Sequence, residues 1–177
     1  MADANVIRRE EDIKKIKELC DSSAGKIVLL STRGNPVNEI NVELKYTTVP
    51  SQRYPSDKRN STHVSIQLSN RYPLQEPAAS IKTPIYHPNV YSSGKICLGL
   101  KWLPTEGLDL LIKRIVKIVT YDPSILNEES PANRDALLWY KDAKRSYPHL
   151  FPTDSVSFNS NKSSKTMSWS NLSEEKV

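Results

Sequence analysis

Hydrophobic residues recur at helical spacing in two separate parts of the chain. Residues 6–20, placed on a helix, form an apolar face and a basic face, which predicts an amphipathic N-terminal helix. Residues 108–121 are apolar around most of the circumference of a helix, so this segment predicts a central, buried helix. A third helix is predicted over Ala132–Ser146, because Ser130 offers an N-cap and Pro131 suits the first helical position.

Four short strand-like stretches lie between the first helix and the central one. In the second, Ile40, Val42, Leu44 and Tyr46 alternate with polar residues, which indicates one buried and one wet face. The connections are too short for crossover helices, so we expect an antiparallel meander in an α+β fold. The four predicted strands are Lys26–Thr32, Glu39–Thr48, Thr62–Leu68 and Ala78–Lys82.

Length and composition favour one domain followed by a tail. A chain of 177 residues with 37% hydrophobic residues can form one core. We place the domain at residues 1–152. Residues 153–177 are rich in serine and have as many acidic as basic side chains, so we expect them to be a disordered tail.

Charge and cysteine usage exclude several classes of protein. The formal net charge is +5, and two cysteines with three histidines provide neither a zinc-finger spacing nor a disulfide framework. We therefore expect a reducing compartment and no metal site. Because no apolar run approaches membrane-spanning length and no secretory signal is visible, we expect a cytoplasmic protein without membrane attachment, or a nuclear one in a eukaryote.

The irregular segment from Thr83 to Gly107 carries the candidate chemistry. Cys97 follows a Ser-Ser-Gly turn and stands where its side chain can face a shallow groove. Asn89 lies eight residues earlier, and its amide can donate to a developing oxyanion. A cysteine nucleophile and an amide donor are the smallest set of functional groups that acyl transfer through a thioester requires. His87 is expected to brace the loop rather than to act as a base.

A set of short motifs surrounds Cys97 in a fixed order. The motifs are Tyr86-His87-Pro88-Asn89, Gly94-Lys95-Ile96-Cys97-Leu98 and Trp102-x-Pro104, preceded by Tyr72-Pro73-Leu74 and followed by Asp122-Pro123 and Ser130-Pro131-Ala132-Asn133. Together they resemble the motifs of the ubiquitin-conjugating enzymes. The resemblance covers about Val6 to Pro152, and its specificity comes from the ordered set rather than from any single motif.

The resemblance implies a role for each matching residue. Cys97 would accept ubiquitin or a related modifier as a thioester from an activating enzyme, and Asn89 would support the oxyanion or order the loop. Ser130 would line the gate through which a substrate lysine enters. The modifier would pass to that lysine or to a ligase. The resemblance implies no cofactor, because the activating enzyme consumes the ATP upstream.

The resemblance also implies two partner surfaces. The basic face of the first helix would bind the activating enzyme, and two exposed loops would contact a ligase where one is used. The helix residues are Arg8, Arg9, Lys14, Lys15 and Lys17, and the loop residues are Leu74, Leu103 and Pro104.

Other interpretations remain open at this point. Taken alone, Cys97 could be a small buried hydrophobe, and Ser130 could serve only as a helix cap. A catalytically inactive relative could bind the modifier without forming a thioester, although such relatives usually lack the cysteine. A small basic nucleic-acid-binding domain ranks far lower, because no strand interleaves aromatic and basic residues.

Overall fold

The computed structural model describes residues 4–99 and 101–158, and this part contains three helices and one four-stranded sheet. The helices are α1 (Ala4–Ser22), α2 (Leu108–Val119) and α3 (Arg134–Ser146). The strands are β1 (Ile27–Arg33), β2 (Glu39–Leu44), β3 (Thr62–Gln67) and β4 (Ala78–Ile81). Two short 3-10 helices cover Pro123–Ile125 and Pro148–Leu150.

The sheet is the antiparallel meander that the strand spacing predicts. The strands pair in the order β1-β2-β3-β4, with Val42 opposite both Leu29 and Val64. Along β2, Ile40, Val42 and Leu44 are buried while the residues between them are partly exposed. The α+β fold is therefore confirmed, and one face of the sheet forms one side of the main core.

Helix α2 packs against this face of the sheet and is buried, as its apolar sequence predicts. Its seven buried residues pack into one cluster with the inner face of the sheet and with Ile16 and Leu19 of α1. The buried residues of α2 are Leu108, Leu111, Ile112, Ile115, Val116, Ile118 and Val119. A core of this extent fixes the sheet and both helices as one frame for the loops between β4 and α2.

The start of α3 differs from the prediction. The helix begins at Arg134, and its N-cap is Asn133, whose Oδ1 accepts from Ala136 N at 3.0 Å. Ser130 is exposed and lies outside the helix, so its predicted capping role is wrong. Asn133 is an equally good cap, and its backbone N–H also donates to Pro88 O at 3.0 Å, which fixes it against the preceding loop.

The packed region continues beyond the predicted boundary at residue 152. Thr153 N donates to Thr120 O at 2.9 Å, and Asp154 Oδ2 accepts from Thr47 N at 3.0 Å. Val156 and Phe158 pack against the main core. Residues 153–158, which we call the C-terminal strap, therefore belong to the domain. The rest of the predicted tail, residues 159–177, lies outside the described residues.

Candidate functional site

Backbone hydrogen bonds attach the cysteine-bearing segment to the edge of the sheet. Ile81 N donates to Gly94 O at 2.8 Å, and Ile96 N donates to Ala79 O at 2.9 Å, so residues 94–96 pair with β4. Gly94 has a φ of +84°, and a Cβ there would lie 2.4 Å from the carbonyl oxygen of Ile81. Only glycine fits this turn without displacing the edge strand.

Cys97 lies at the end of this segment with its thiol half-buried. Its neighbours Ile96 and Leu98 point into the core, which turns the Cys97 side chain outwards into a shallow groove. Its backbone N–H donates to Asn89 O at 2.8 Å, so the backbone beneath the thiol is fixed. The groove is also lined by Glu76, Pro77, Ala78, Ala79, Tyr91, Lys95 and Gly99.

A second cleft lies next to this groove. Leu98 and Gly99 line both depressions, and the far wall of the cleft is formed by the chain that follows α2. The remaining residues of the cleft are Ser124, Ile125, Leu126 and Asn127. Cys97 therefore lines the groove, and the two residues that follow it border a separate cleft of similar size.

Asn89 connects the cysteine segment to the far wall of that cleft. It is fully buried, and its Nδ2 donates to Ile125 O at 3.1 Å and, more weakly, to Cys97 O at 3.4 Å. Its Oδ1 accepts from Asn127 N at 3.1 Å. Both ends of the amide are thus occupied by backbone groups, which is the loop-supporting arrangement of the two roles predicted for this residue.

His87 is a neutral brace beneath the same loop. Its Nδ1 accepts from Asn89 N at 2.9 Å, and its ring lies 4.3 Å from the ring of Tyr121, centroid to centroid. Complete burial lowers the pKa of His87 to about 3, against a smaller opposing effect of the Ile118 carbonyl. A neutral imidazole that accepts at Nδ1 holds the loop, as predicted, and its burial excludes it from acting as a base on an exposed substrate.

Ser130 lies in an exposed turn that is closed by hydrogen bonds between the Ser130 backbone and the Asn127 side chain. Asn127 Nδ2 donates to Ser130 O at 2.6 Å, and Ser130 N donates back to Asn127 Oδ1 at 3.0 Å. The turn directly follows the cleft wall formed by Leu126 and Asn127. The Ser130 side chain makes no hydrogen bond among residues 4–99 and 101–158, so its predicted role at a lysine gate stays a prediction.

The basic residues of α1 do not form one surface. Lys14, Lys15 and Lys17 are exposed, but Arg9 is buried and Arg8 is mostly covered, so their predicted place on the outer face is wrong. Arg9 Nη2 donates to Ser69 O at 2.7 Å, and its Nη1 donates to Val37 O. Two arginines of this helix therefore attach it to neighbouring loops rather than facing solvent.

Arg8 binds the loop that precedes α2. Its Nη1 donates to Pro104 O at 2.8 Å, and its Nη2 donates to Glu106 O. Its Nε donates to the buried carboxylate of Asp12 at 2.7 Å. These contacts hold the backbone of the loop while the side chains of Leu103 and Pro104 remain exposed.

The two loops that carry the predicted ligase contacts are joined to each other. Trp102 Nε1 donates to Pro73 O at 2.6 Å, and the Trp102 ring packs beside the Tyr72 ring. Leu74 is 74% exposed and Leu103 is 56% exposed, which is unusual for such large apolar side chains. The structure thus places both predicted leucines, exposed, on two loops that are hydrogen-bonded to each other, and their contact with a ligase stays a prediction.

The sequence analysis missed Asp12, on which these loops depend. Its carboxylate is fully buried and accepts from Arg8 Nε, from Tyr72 Oη and from Leu108 N, the last at 3.2 Å. It therefore ties α1, the Tyr72 loop and the first residue of α2 together. The only sequence signal was an acidic residue on the apolar face of α1, four residues after an arginine.

The Cys97 sulfur has no side-chain hydrogen-bond partner in residues 4–99 and 101–158, whereas a protease cysteine is paired with a general base that activates it. Such a thiol suits a donor that arrives already activated.

Within residues 4–99 and 101–158 no helix is both long and apolar enough to cross a membrane.

Comparison with known proteins gives one family and several relatives. A family model described as ubiquitin-conjugating enzyme matches residues 32–152. The chain is 35% identical over 85 residues to ubiquitin-conjugating enzyme E2 2 of Yarrowia lipolytica, covering 46% of this chain and 54% of the relative. The proteins of the same name from Debaryomyces hansenii and Trichoderma harzianum are each 34% identical to this chain over 85 residues, which is 46% of this chain. The match covers 48% of the Debaryomyces protein and 54% of the Trichoderma protein. The chain thus spans about half the length of the curated relatives that it matches.

Proposed function

Because this chain belongs to the ubiquitin-conjugating enzyme family, we propose that Cys97 carries ubiquitin or a related modifier as a thioester. The observation that carries the proposal is the half-buried thiol, held in the groove by a fixed backbone and without a neighbouring base. The Cys97 sulfur attacks the activated carboxyl carbon of the modifier. The activating enzyme is the leaving group and has already consumed the ATP, so this chain needs no cofactor of its own.

Transfer follows when a lysine amine of a protein substrate attacks the thioester carbonyl. The predicted donor to the developing oxyanion is the Asn89 amide, which would first have to release its weak bond to Cys97 O. We therefore assign to Asn89 the support of the loop in the resting protein and donation to the oxyanion during transfer. Ser130 is assigned to the entry of the lysine.

The exposed side chains of α1 and of two loops define the proposed partner surfaces. Lys14, Lys15 and Lys17 are the exposed cations of α1 that an activating enzyme would contact, and Arg8 and Arg9 act behind them by holding the loops. Leu74, Leu103 and Pro104 form the surface for a ligase. The cell compartment that we assign is the cytoplasm, or the nucleus in a eukaryote, where these partners are found.

A pulse–chase experiment tests the proposal. The chain is charged with ubiquitin by an activating enzyme and ATP, charging is stopped, and free lysine is added as acceptor. We expect a thiol-sensitive band that decays faster with lysine, is absent in Cys97→Ala, and becomes a thiol-resistant, slowly reacting ester in Cys97→Ser. Cys20→Ala is the matched control and should behave as the parent protein. A band that persists in Cys97→Ala, or one that lysine does not discharge, would contradict the proposal.

A further inference from the structure

The register of the segment that carries Cys97 shows how the two walls of its groove face each other. Residues 94–96 run antiparallel to β4, with Lys95 opposite Ser80. The same register, continued by two positions, sets Ala78 opposite Cys97. Ala78 is exposed and lines the groove, so the wall opposite the thiol carries no bulky side chain at this point.

A charged residue lines the groove on each side of the thiol. Lys95 lies two positions before Cys97 on one wall, and Glu76 lies two positions beyond Ala78 on the other. In both cases the residue between is buried, so the members of each pair face the groove together. Lys95 and Glu76 therefore flank the thiol, each about 6.5 Å from it along the chain direction.

Neither of these charges is neutralised in the part of the chain that the structure describes. The Lys95 amine and the Glu76 carboxylate are exposed, and neither forms a hydrogen bond or an ion pair among residues 4–99 and 101–158. The other residues that line the groove carry no charge. The groove thus presents an unpaired cation and an unpaired anion with the thiol between them.

This arrangement matches the geometry of an extended acceptor segment. Side chains two positions apart in an extended chain point to the same face, about 6.5 Å from each other. When the target lysine of such a segment lies at Cys97, the side chains two positions before and after it lie beside Lys95 and Glu76. An acidic side chain on one side and a basic side chain on the other would then complement both charges of the groove.

We propose that this groove selects the acceptor by charge: it binds a protein segment whose target lysine has an acidic residue two positions to one side and a basic residue two positions to the other. The inference rests on the proposed function, because it needs a thioester on Cys97. The two charges also fix the direction of the bound segment, since the reversed segment sets like charges against each other. Lys95 and Glu76 are thus specificity-determining residues that take no part in bond making.

Two acceptor peptides of identical composition test the proposal. The full chain is charged with ubiquitin by an activating enzyme and ATP, charging is stopped, and the rate of thioester discharge is measured with each N-acetylated peptide. One peptide carries Glu two positions before its single lysine and Arg two positions after it, and the other has these two residues exchanged. At low ionic strength we expect one order to react roughly fivefold faster than the other, a difference that high salt removes.

Exchanging the two charges in the protein is the decisive variant. In Glu76→Lys combined with Lys95→Glu, the preferred peptide should become the other one, whereas a merely structural role of either residue would slow both peptides alike. Lys82→Glu is the matched control, because Lys82 is exposed but lines a separate pocket that does not include Cys97. This control should keep the preference of the parent protein.

The outcomes separate this inference from the proposed function. Equal rates for the two peptides, or the same preferred peptide after the charge exchange, overturn the assignment of the groove alone. The single variants Lys95→Gln and Glu76→Gln should each reduce the ratio of the two rates, and an unchanged ratio in both also overturns it. If the unsubstituted chain forms no thioester, or one that no lysine discharges, the proposed function fails and the inference fails with it.

Discussion

At the scale of single residues, the site depends on two buried polar side chains that line neither the groove beside Cys97 nor the adjacent cleft. Asn89 uses both ends of its amide on backbone groups, and His87 accepts from the Asn89 backbone. Together they hold the cysteine segment against the chain that follows α2. These two residues of the family motif therefore support the loop beneath Cys97.

Removing the Asn89 amide should therefore loosen the loop. In Asn89→Ala, Asn127 N and Ile125 O lose their partner inside the domain. We expect the free energy of unfolding to fall by about 1–3 kcal/mol, measured by urea denaturation, and discharge of a preformed thioester to lysine to slow more than its formation. Asn60→Ala, at an exposed position, is the control and should change neither. An unchanged unfolding midpoint in Asn89→Ala would contradict the supporting role.

The buried His87 should make stability depend on pH. Its pKa is about 3 in the folded protein and about 6.5 when unfolded, so the unfolded chain binds the extra proton between these values. Stability is complete above pH 6.5 and is lost as the pH falls. From pH 7 to pH 5 we expect a loss of about 2 kcal/mol from this group, measured by urea denaturation. His87→Gln should reduce this loss and exposed His63→Gln should not; an equal loss in both variants would contradict the prediction.

At the scale of elements, helix α1 is attached to the loops by its charged residues rather than by its apolar face alone. Asp12 joins Arg8 of α1, Tyr72 of the loop before β4 and the first amide of α2. Burial and the neighbouring Asp12 carboxylate raise the pKa of the Tyr72 hydroxyl, so it stays a donor. The position of the loops with Leu74 and Leu103 follows from this connection.

Substituting the central carboxylate tests the connection. Asp12→Ala leaves three donors without their acceptor and Arg8 without its buried partner, so we expect a loss of about 3–5 kcal/mol in the free energy of unfolding. Asp142→Ala removes an ion pair of α3 whose partners are exposed, and should cost less than about 1 kcal/mol. Urea denaturation measures both. Similar small losses in the two variants would show that Asp12 does not hold these elements together.

At the scale of the whole molecule, the C-terminal strap closes the domain. Its backbone and Asp154 bind Thr47 and Thr120, and Phe158 lies 5.7 Å from Nζ of Lys113 on α2. The strap thereby contacts the segment that follows β2 as well as the central helix and the residue that follows it. The domain is thus longer than the segment that resembles the family.

Two truncations locate the end of the domain. A chain ending at Pro152 loses the strap, and we expect a loss of about 2 kcal/mol from its hydrogen bonds and apolar contacts. For a domain of this size that lowers the Tm by roughly 4–8 °C. A chain ending at Phe158 keeps these contacts and is the matched control. Equal Tm values for the two truncated chains would contradict the packing of the strap.

Short hydrophobic patterns in the sequence predicted correctly which faces of β2 and α2 are buried. The alternation of Ile40, Val42 and Leu44 and the apolar sequence of α2 determine which faces are buried, so the meander and the central helix follow from the sequence. The order of motifs around Cys97 also predicted that Asn89 and Cys97 lie together, and they are hydrogen-bonded in the structure. Ser130 was assigned to the cap because it satisfies the same local rule as Asn133, and only contact with Pro88 O distinguishes them.

Long-range polar contacts were beyond sequence reasoning. Arg9 and Asp12 are charged residues on a helix, and a periodic pattern assigns such residues to solvent. Their burial depends on carbonyl and amide groups from loops about 28 to 96 positions away in the chain. The strap was missed for a similar reason, because a serine-rich composition conceals the contacts of Asp154 and Phe158.

Intact-mass measurement of the charged protein tests the central claim most directly. The chain is incubated with ubiquitin, ATP and an activating enzyme, and its mass is recorded before and after treatment with a thiol. The account predicts an increase by one ubiquitin less one water that the thiol reverses, and peptide mapping that places it on Cys97. A charged species whose modifier maps to Cys20, or a mass increase that resists the thiol from the earliest time point, would contradict it.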